Sequence, residues 1–193
     1  MKIVCIGGGP SSLYFSLLAK KRNPDWAIRV LERHPKDVTW GFGVVFSDET
    51  MENFKAEDEE TYFAITGSFV HWDDIDTFLK GVKFVSTGHG FAGMSRLRLL
   101  QILEARATAL GVDVQHEVDV ESLDEFADAD LIIGGDGVNS VARRMRGEER
   151  FGTEIAWRPN KFVWLGTDKP FDAFTFYFDE TEYGLWRAHC YQY

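Results

Sequence analysis

Two short runs carry residue types and spacings that could do chemistry. One is Gly7-Gly8-Gly9-Pro10-Ser11-Ser12 with Glu32 beyond it; the other is Asp136-Gly137 with Ser140 and Arg143 behind it. The glycine run follows the apolar, β-branched 3–6 and precedes a helix-length segment whose Leu13, Leu17 and Leu18 share a face. A second apolar run closes on Glu32 about 20 residues after the glycines, the spacing of a dinucleotide-binding βαβ unit. Gly7 permits a tight turn. Gly9 lacks a Cβ, so a pyrophosphate can reach the helix N-terminus, where unpaired N–H groups and the helix dipole favour an anion. Pro10, Ser11 and Ser12 belong to the same anion-facing turn, and Glu32 is placed to accept from ribose hydroxyls. Ser12 stands at the third glycine position, which predicts a slightly wider gap between helix and strand. The plain alternative is the glycine turn of an ordinary α/β protein.

The apolar run 131–133 delivers Asp136 and Gly137. Ligands of open parallel sheets bind beyond the carboxyl ends of the strands, so Asp136 is expected at the same edge as Gly9. It can accept from a polyol hydroxyl while Gly137 lets the ligand chain pass. Alone, the pair reads equally well as a capping Asp-Gly turn. A third run, Gly88-His-Gly90-Phe-Ala-Gly93, repeats the glycine spacing ahead of a helix-like 95–110. It reads either as a second nucleotide turn or as a glycine-rich active-site loop. The segment before it, 82–87, is less apolar than a central parallel strand should be, which counts against the first.

Other chemistries find little support. The five histidines show no metal-ligand spacing, Cys5 and Cys190 form no metal-spaced pair, and Asp73, Asp74 and Asp76 read as turn carboxylates. No metal is expected, and no catalytic residue is assigned. Cys5, inside a strand, is expected to be a buried inert thiol. The net charge of −10 argues against nucleic acid or an anionic membrane as partner. No apolar run is long enough to cross a bilayer and no signal peptide precedes the first strand, so a reduced, cytoplasmic protein is expected.

The elements that must position these residues follow from the pattern. After the βαβ unit, Trp40-Gly-Phe-Gly-Val-Val-Phe-Ser47 is apolar with two glycines, which suggests backbone lying against something flat, a sharply bent loop, or a bulged strand. A surface helix is expected over 48–60, paired strands over 69–84 and a strand over 112–120. Alternating aromatic-rich strands follow at 162–165, 174–178 and 183–191. The last leaves the sheet unfinished, as in an N-terminal piece of a longer protein.

Gly7-x-Gly9 with Glu32-Arg33, together with Asp136-Gly137-x-x-Ser140-x-x-Arg143, resembles the single-component FAD-dependent aromatic monooxygenases. Within that family, Trp40-Gly-Phe-Gly-Val-Val-Phe-Ser-Asp48, Trp72-Asp-Asp-Ile-Asp76, Gly88-His-Gly-Phe-x-Gly93 and Asn160-Lys-Phe-Val-Trp-Leu-Gly166 are similar to the salicylyl-CoA 5-hydroxylases and 2-aminobenzoyl-CoA monooxygenases. The resemblance covers essentially the whole chain. It implies an α/β fold: a Rossmann-like FAD-binding domain over 1–67 and 86–158, and the beginning of a mostly antiparallel β substrate domain over 68–85 and 159–193. It implies FAD held by Gly7, Gly9, Pro10, Ser11, Ser12, Glu32, Arg33, Arg96, Asp136 and Gly137.

It further implies NAD(P)H as co-substrate, uptake of O2 to a flavin C4a-hydroperoxide, and hydroxylation of an activated small aromatic substrate, an aromatic acyl-CoA. Ser11-Ser12 depart from the alanine and glycine usual there, and a third flavin motif of the family is absent from these residues. Arg143, Arg144, Arg146 and Arg150 form the densest basic patch for a CoA phosphate, though helix-end capping accounts for them equally well. A reductase or halogenase on the same fold, or a non-catalytic dinucleotide-binding module, stand as alternatives.

Overall fold

A computed structural model describes residues 1–193. The chain runs β1 (Lys2–Ile6), α1 (Pro10–Arg22), β2 (Ala27–Leu31), β3 (Gly43–Ser47), α2 (Asp48–Glu57) and α3 (Glu59–Thr66). Then come β4 (Val70–Trp72), β5 (Ile75–Leu79), β6 (Val82–Ser86), β7 (Phe91–Ser95), α4 (Arg96–Ala109) and β8 (Asp113–Gln115). The last elements are β9 (Leu131–Gly134), α5 (Val141–Arg146), β10 (Phe174–Thr181) and β11 (Gly184–Cys190). By packing, the chain divides into two units: Met1–Thr39 with Leu99–Val163, and Trp40–Arg98 with Trp164–Tyr193. The segments 40–67 and 86–98, grouped above with the nucleotide-binding domain, pack within the second unit.

The first unit is built on a four-stranded parallel sheet in the order β8-β2-β1-β9. The central strand β1 is apolar along its length because both its faces are covered: Ile3, Val4 and Cys5 are fully buried. Helix α1 starts on Pro10, whose missing N–H is no loss at a helix start, and stops where the Asn23 amide bonds back to Ala19. It buries Leu13 and Leu17. On β1's Val4–Ile6 side a core of Val4, Ile6, Leu31, Val120, Leu123 and Phe126 forms. Register then decides what the sheet can do. Ile6 lies beside Leu31 on one flank and Gly134 on the other, so β1, β2 and β9 end level. The residues that follow each strand emerge at one edge.

The second unit contains a three-stranded antiparallel sheet, β3-β7-β4, and a four-stranded sheet, β11-β10-β5-β6, in which only the β10–β5 pair is parallel. Here Gly43, one of the two glycines of 40–47, finds one of its expected explanations. A Cβ on Gly43 would lie 2.7 Å from the ring of Tyr191, so the β3 backbone does pass against something flat. Gly93 in β7 likewise lies under Trp72, where a Cβ would fall 2.4 Å from the indole.

Three expectations are corrected and one open alternative is decided. The helix of 48–60 is two helices, divided at Asp58, whose carboxylate accepts from the amide and hydroxyl of Thr61 and caps α3. The strand of 112–120 is only Asp113–Gln115, because Glu117 takes a left-handed φ of 59° and breaks the extension. Residues 162–165 form no strand, and Phe162, Val163, Trp164 and Leu165 are exposed. Hence β11 is the second strand of that aromatic series and not the third. Finally, Gly88 and Gly90 lie in the β6–β7 connection and Gly93 lies inside β7, so this run sits between antiparallel strands and is no second nucleotide turn.

Candidate dinucleotide-binding site

Strand β1 ends at Ile6, and Gly7 turns the chain at a φ of 93° that favours glycine. Its amide donates to Leu31 O at 2.8 Å, and the amide of Gly135 donates to Ile6 O at 2.8 Å. The three strand ends are thereby laced together. A Cβ on Gly7 would lie 2.7 Å from Asp136 Cα. The first turn and the second motif therefore touch, as the carboxyl-edge argument required.

Gly9 occupies the N-cap of α1 with no capping side chain, leaving the helix's first amides open at the site. A Cβ there would meet nothing nearer than Gly135 O at 3.8 Å. Glu32 follows β2 and turns back over the turn: its Oε2 accepts from the Gly8 amide at 2.6 Å and its Oε1 from the His34 amide at 2.9 Å. Gly8 thus has a task that the fingerprint spacing of Gly7 and Gly9 does not assign to it. The sign was present in the run of three glycines, since a Cβ on Gly8 would lie 2.8 Å from Glu32 Cβ. The loop after Glu32 is pinned by the amides of Val118 and Glu117, which donate to Glu32 O and His34 O.

Asp136 has two unlike oxygens. Oδ2 accepts from the amides of Val141 at 2.6 Å and Ala142 at 3.3 Å, closing the start of α5 together with Ser140, whose hydroxyl accepts from the Arg143 amide. Oδ1 is buried and has no partner. The capping reading of the Asp-Gly pair is met by one oxygen, and the other is a buried acceptor at the carboxyl edge. Gly137 takes a φ of 82° with open space beside it.

The remaining residues are placed as follows. Ser12 is buried and Ser11 exposed on α1, and Arg33 is exposed with its Nε donating to His34. Arg96 is not among the residues gathered in the first unit. It opens α4 in the second, its amide donating to Phe42 O at 2.9 Å. Of the four arginines, Arg143 donates to Val138 O and faces Glu148, while Arg144 donates to Asn139 O. Those two serve the α5 turn itself. Nowhere do three or more His, Cys, Asp or Glu side chains gather as a metal would require. No helix is long and apolar enough to cross a membrane.

In the second unit Trp72, Phe91, Phe174, Phe176 and Tyr191 pack ring to ring, with centroids 4.7–6.4 Å apart.

Parallel strands ending level, a glycine turn into a helix and an acid after the second strand are the features of a Rossmann-like α/β unit. Comparison with known proteins narrows the class. No family model matches the chain. It is 38% identical over 191 residues to salicyloyl-CoA 5-hydroxylase of a Streptomyces species, covering 99% of this chain and 37% of that protein. It is 28% identical over 193 residues to 3-hydroxy-4-methyl-anthranilyl-(aryl-carrier protein) 5-monooxygenase of Streptosporangium sibiricum, covering 100% of this chain and 54% of that protein. In fold it is similar to the crystal structure of 2-methyl-3-hydroxypyridine-5-carboxylic acid oxygenase, with a TM-score of 0.67 at 23% identity over 76% of this chain and 42% of that one. Over essentially its whole length the chain is thus similar to a named aromatic hydroxylase and a named monooxygenase. It spans between about a third and just over half of the length of these curated relatives.

Proposed function

We propose that this chain supplies the FAD-binding part of a monooxygenase that hydroxylates an activated aromatic ring, carried as an aromatic acyl-CoA, with NAD(P)H and O2. The observation that carries the reading is Asp136 Oδ1, a buried carboxylate oxygen without a partner next to the Gly7 turn. A buried acceptor left unpaired costs free energy, and a bound polyol would repair it. The residues fit FAD. The open amides at the start of α1 suit a pyrophosphate, with Gly7, Gly9, Pro10 and Ser11 forming its cradle; Ser12, expected in that cradle, is buried behind it against Gly135. Glu32 can accept ribose hydroxyls on lone pairs its two backbone donors leave free. Arg33 and Arg96 are assigned to the same nucleotide by the family resemblance, and Gly137 leaves room for the chain of the ligand.

When bound, FAD supplies hydride acceptance from NAD(P)H and activation of O2. The chain's own groups bind and orient, and no side chain is asked to act as nucleophile. The aromatic cluster around Phe174 and Trp72 offers flat, apolar contact of the kind an aryl ring needs and keeps water from it. A hydroxyl or amino group on the substrate would activate its ring toward oxygen transfer.

Two measurements test this. The purified chain is titrated with FAD and followed by flavin fluorescence; a chain that takes up none overturns the cofactor assignment. The complete gene product is then assayed for NAD(P)H oxidation and O2 uptake with salicylyl-CoA, 2-aminobenzoyl-CoA and the corresponding free acids. Hydroxylated thioester is expected. Equal turnover of the free acids overturns the thioester assignment, and oxidation independent of any aromatic compound overturns the monooxygenase reading.

A further inference from the structure

The third glycine of a nucleotide turn keeps helix and strand close, and here that position is Ser12. The side chain has nonetheless been taken into the interface. Ser12 is 1% exposed, and its hydroxyl has no hydrogen-bond partner, so volume and not bonding accounts for its place. The space it fills lies against the backbone of Gly135. A Cβ on Gly135 would fall 2.0 Å from Ser12 Oγ and 3.3 Å from Ser12 Cβ. Gly135 is not among the residues with a left-handed φ, so its own conformation does not call for glycine. The side chain facing it does.

Gly135 also sits at the centre of the site. Its carbonyl oxygen is what a Cβ on Gly7 would strike at 2.8 Å and what a Cβ on Gly9 would approach at 3.8 Å, and its amide is bonded to Ile6 O. We infer that Gly135 does the work of the third glycine in this chain. The small residue has been moved from α1 to the end of β9, and Gly135 is the positioning residue that sets how closely the Gly9 turn approaches Asp136. The hydroxyl of Ser12 could rotate from a new methyl group, but its Cβ would still lie 3.3 Å from that methyl and the side chain is enclosed. The first turn of α1 would therefore have to shift as well.

For its ligand readout this inference rests on the proposed FAD site. The test is a cycle of the parent chain, Gly135→Ala, Ser12→Gly and the double variant, each measured for FAD affinity and for its urea unfolding midpoint without FAD. Gly135→Ala is expected to weaken FAD by about tenfold or more, Ser12→Gly by less than about threefold, and the double variant to return within about threefold of the parent. Ser12→Ala in the Gly135→Ala background should recover partway, since it removes the 2.0 Å overlap and leaves the 3.3 Å contact. Gly135→Ala binding FAD like the parent, or a double variant no better than Gly135→Ala, overturns the inference. Should Gly135→Ala fail to fold, recovery of folded protein in the double variant supports it and continued failure overturns it. If the parent itself takes up no FAD, the cofactor reading fails, and the midpoints still decide the pair: recovery in the double variant supports it and simple additivity overturns it.

Discussion

The Gly8 amide lies 2.6 Å from Oε2 of Glu32, across the mouth of the glycine turn. Because Oε1 is engaged by the His34 amide, one carboxylate ties the end of β1 to the loop after β2. Hydrogen bonds to a charged group are worth roughly 1.5–3 kcal/mol, and Glu32→Gln would turn one acceptor into a donor facing a donor. Glu32→Gln is expected to lower urea stability by about 1–2 kcal/mol even without FAD, below that upper range because Glu32 is only half-buried. Unchanged stability would mean that the carboxylate serves the ligand alone.

Gly7 and Gly9 should respond to alanine in opposite ways. A methyl group at Gly7 meets backbone at 2.7–2.9 Å and sits on a left-handed φ of 93°, so nothing flexible can yield. Gly7→Ala should cost well over the ~1–2 kcal/mol of a left-handed residue alone. Gly9 has an ordinary φ of −72° and 3.8 Å of room. Gly9→Ala should unfold within ~0.5 kcal/mol of the parent. Its methyl would still stand where a pyrophosphate approaches, so FAD affinity should fall about tenfold, near 1.4 kcal/mol. Urea melts and FAD titration of the two variants read this directly. Gly9→Ala binding FAD normally would remove Gly9 from the phosphate turn.

Much of this edge was legible in the sequence because local rules and the sheet agreed there. The glycine turn, α1 and Glu32 form one contiguous βαβ unit, and Asp136 reaches them simply by following a parallel neighbour of β1. Legibility failed where an element's fate depends on distant partners. The apolar, aromatic-rich 162–165 looks like a strand, yet a strand needs a ladder supplied from elsewhere in the chain and this segment forms no strand. The run Gly88–Gly93 has the spacing of a nucleotide turn but is explained by crowding, from Asp48 against Gly90 and Trp72 against Gly93. Nor could spacing reveal that Ser12 faces Gly135, since 123 positions separate them and only the β1–β9 pairing brings them together.

Asp136 can be divided experimentally between its two oxygens. Asp136→Asn retains one oxygen that can continue to accept from Val141 and Ala142, but it places an amide N–H₂ where Oδ1 now stands. Asp136→Ala removes both. Loss of a helix cap costs ~0.5–2 kcal/mol, so Asp136→Ala should fall in that range while Asp136→Asn stays nearer the parent. Both variants should lose FAD affinity to a similar degree, because each lacks the buried acceptor. If Asp136→Asn binds FAD as the parent does, the acceptor at Oδ1 is not what the ligand uses.

Alkaline stability should report the burial of Cys5. Burial pushes its thiol above the ordinary value of 9.0, with the nearby Ser16 hydroxyl at 3.3 Å opposing this. Above pH 9.0 an unfolded chain has released that proton while the folded chain retains it, so the unfolded state binds fewer protons and stability falls as pH rises. The contribution is whole below 9.0 and is lost as pH climbs through the raised folded value. Burial raises Cys190 and Tyr191 in the same direction, so the parent's decline is a sum. Cys5→Ala should make the decline above pH 9.0 shallower, whatever it does to stability at neutral pH, in urea melts taken across that range. Cys5 should also stay closed to a thiol reagent until the chain unfolds, being fully buried where Cys190 is half-exposed. An unchanged alkaline slope in Cys5→Ala would place the whole effect on β11 and the residue after it.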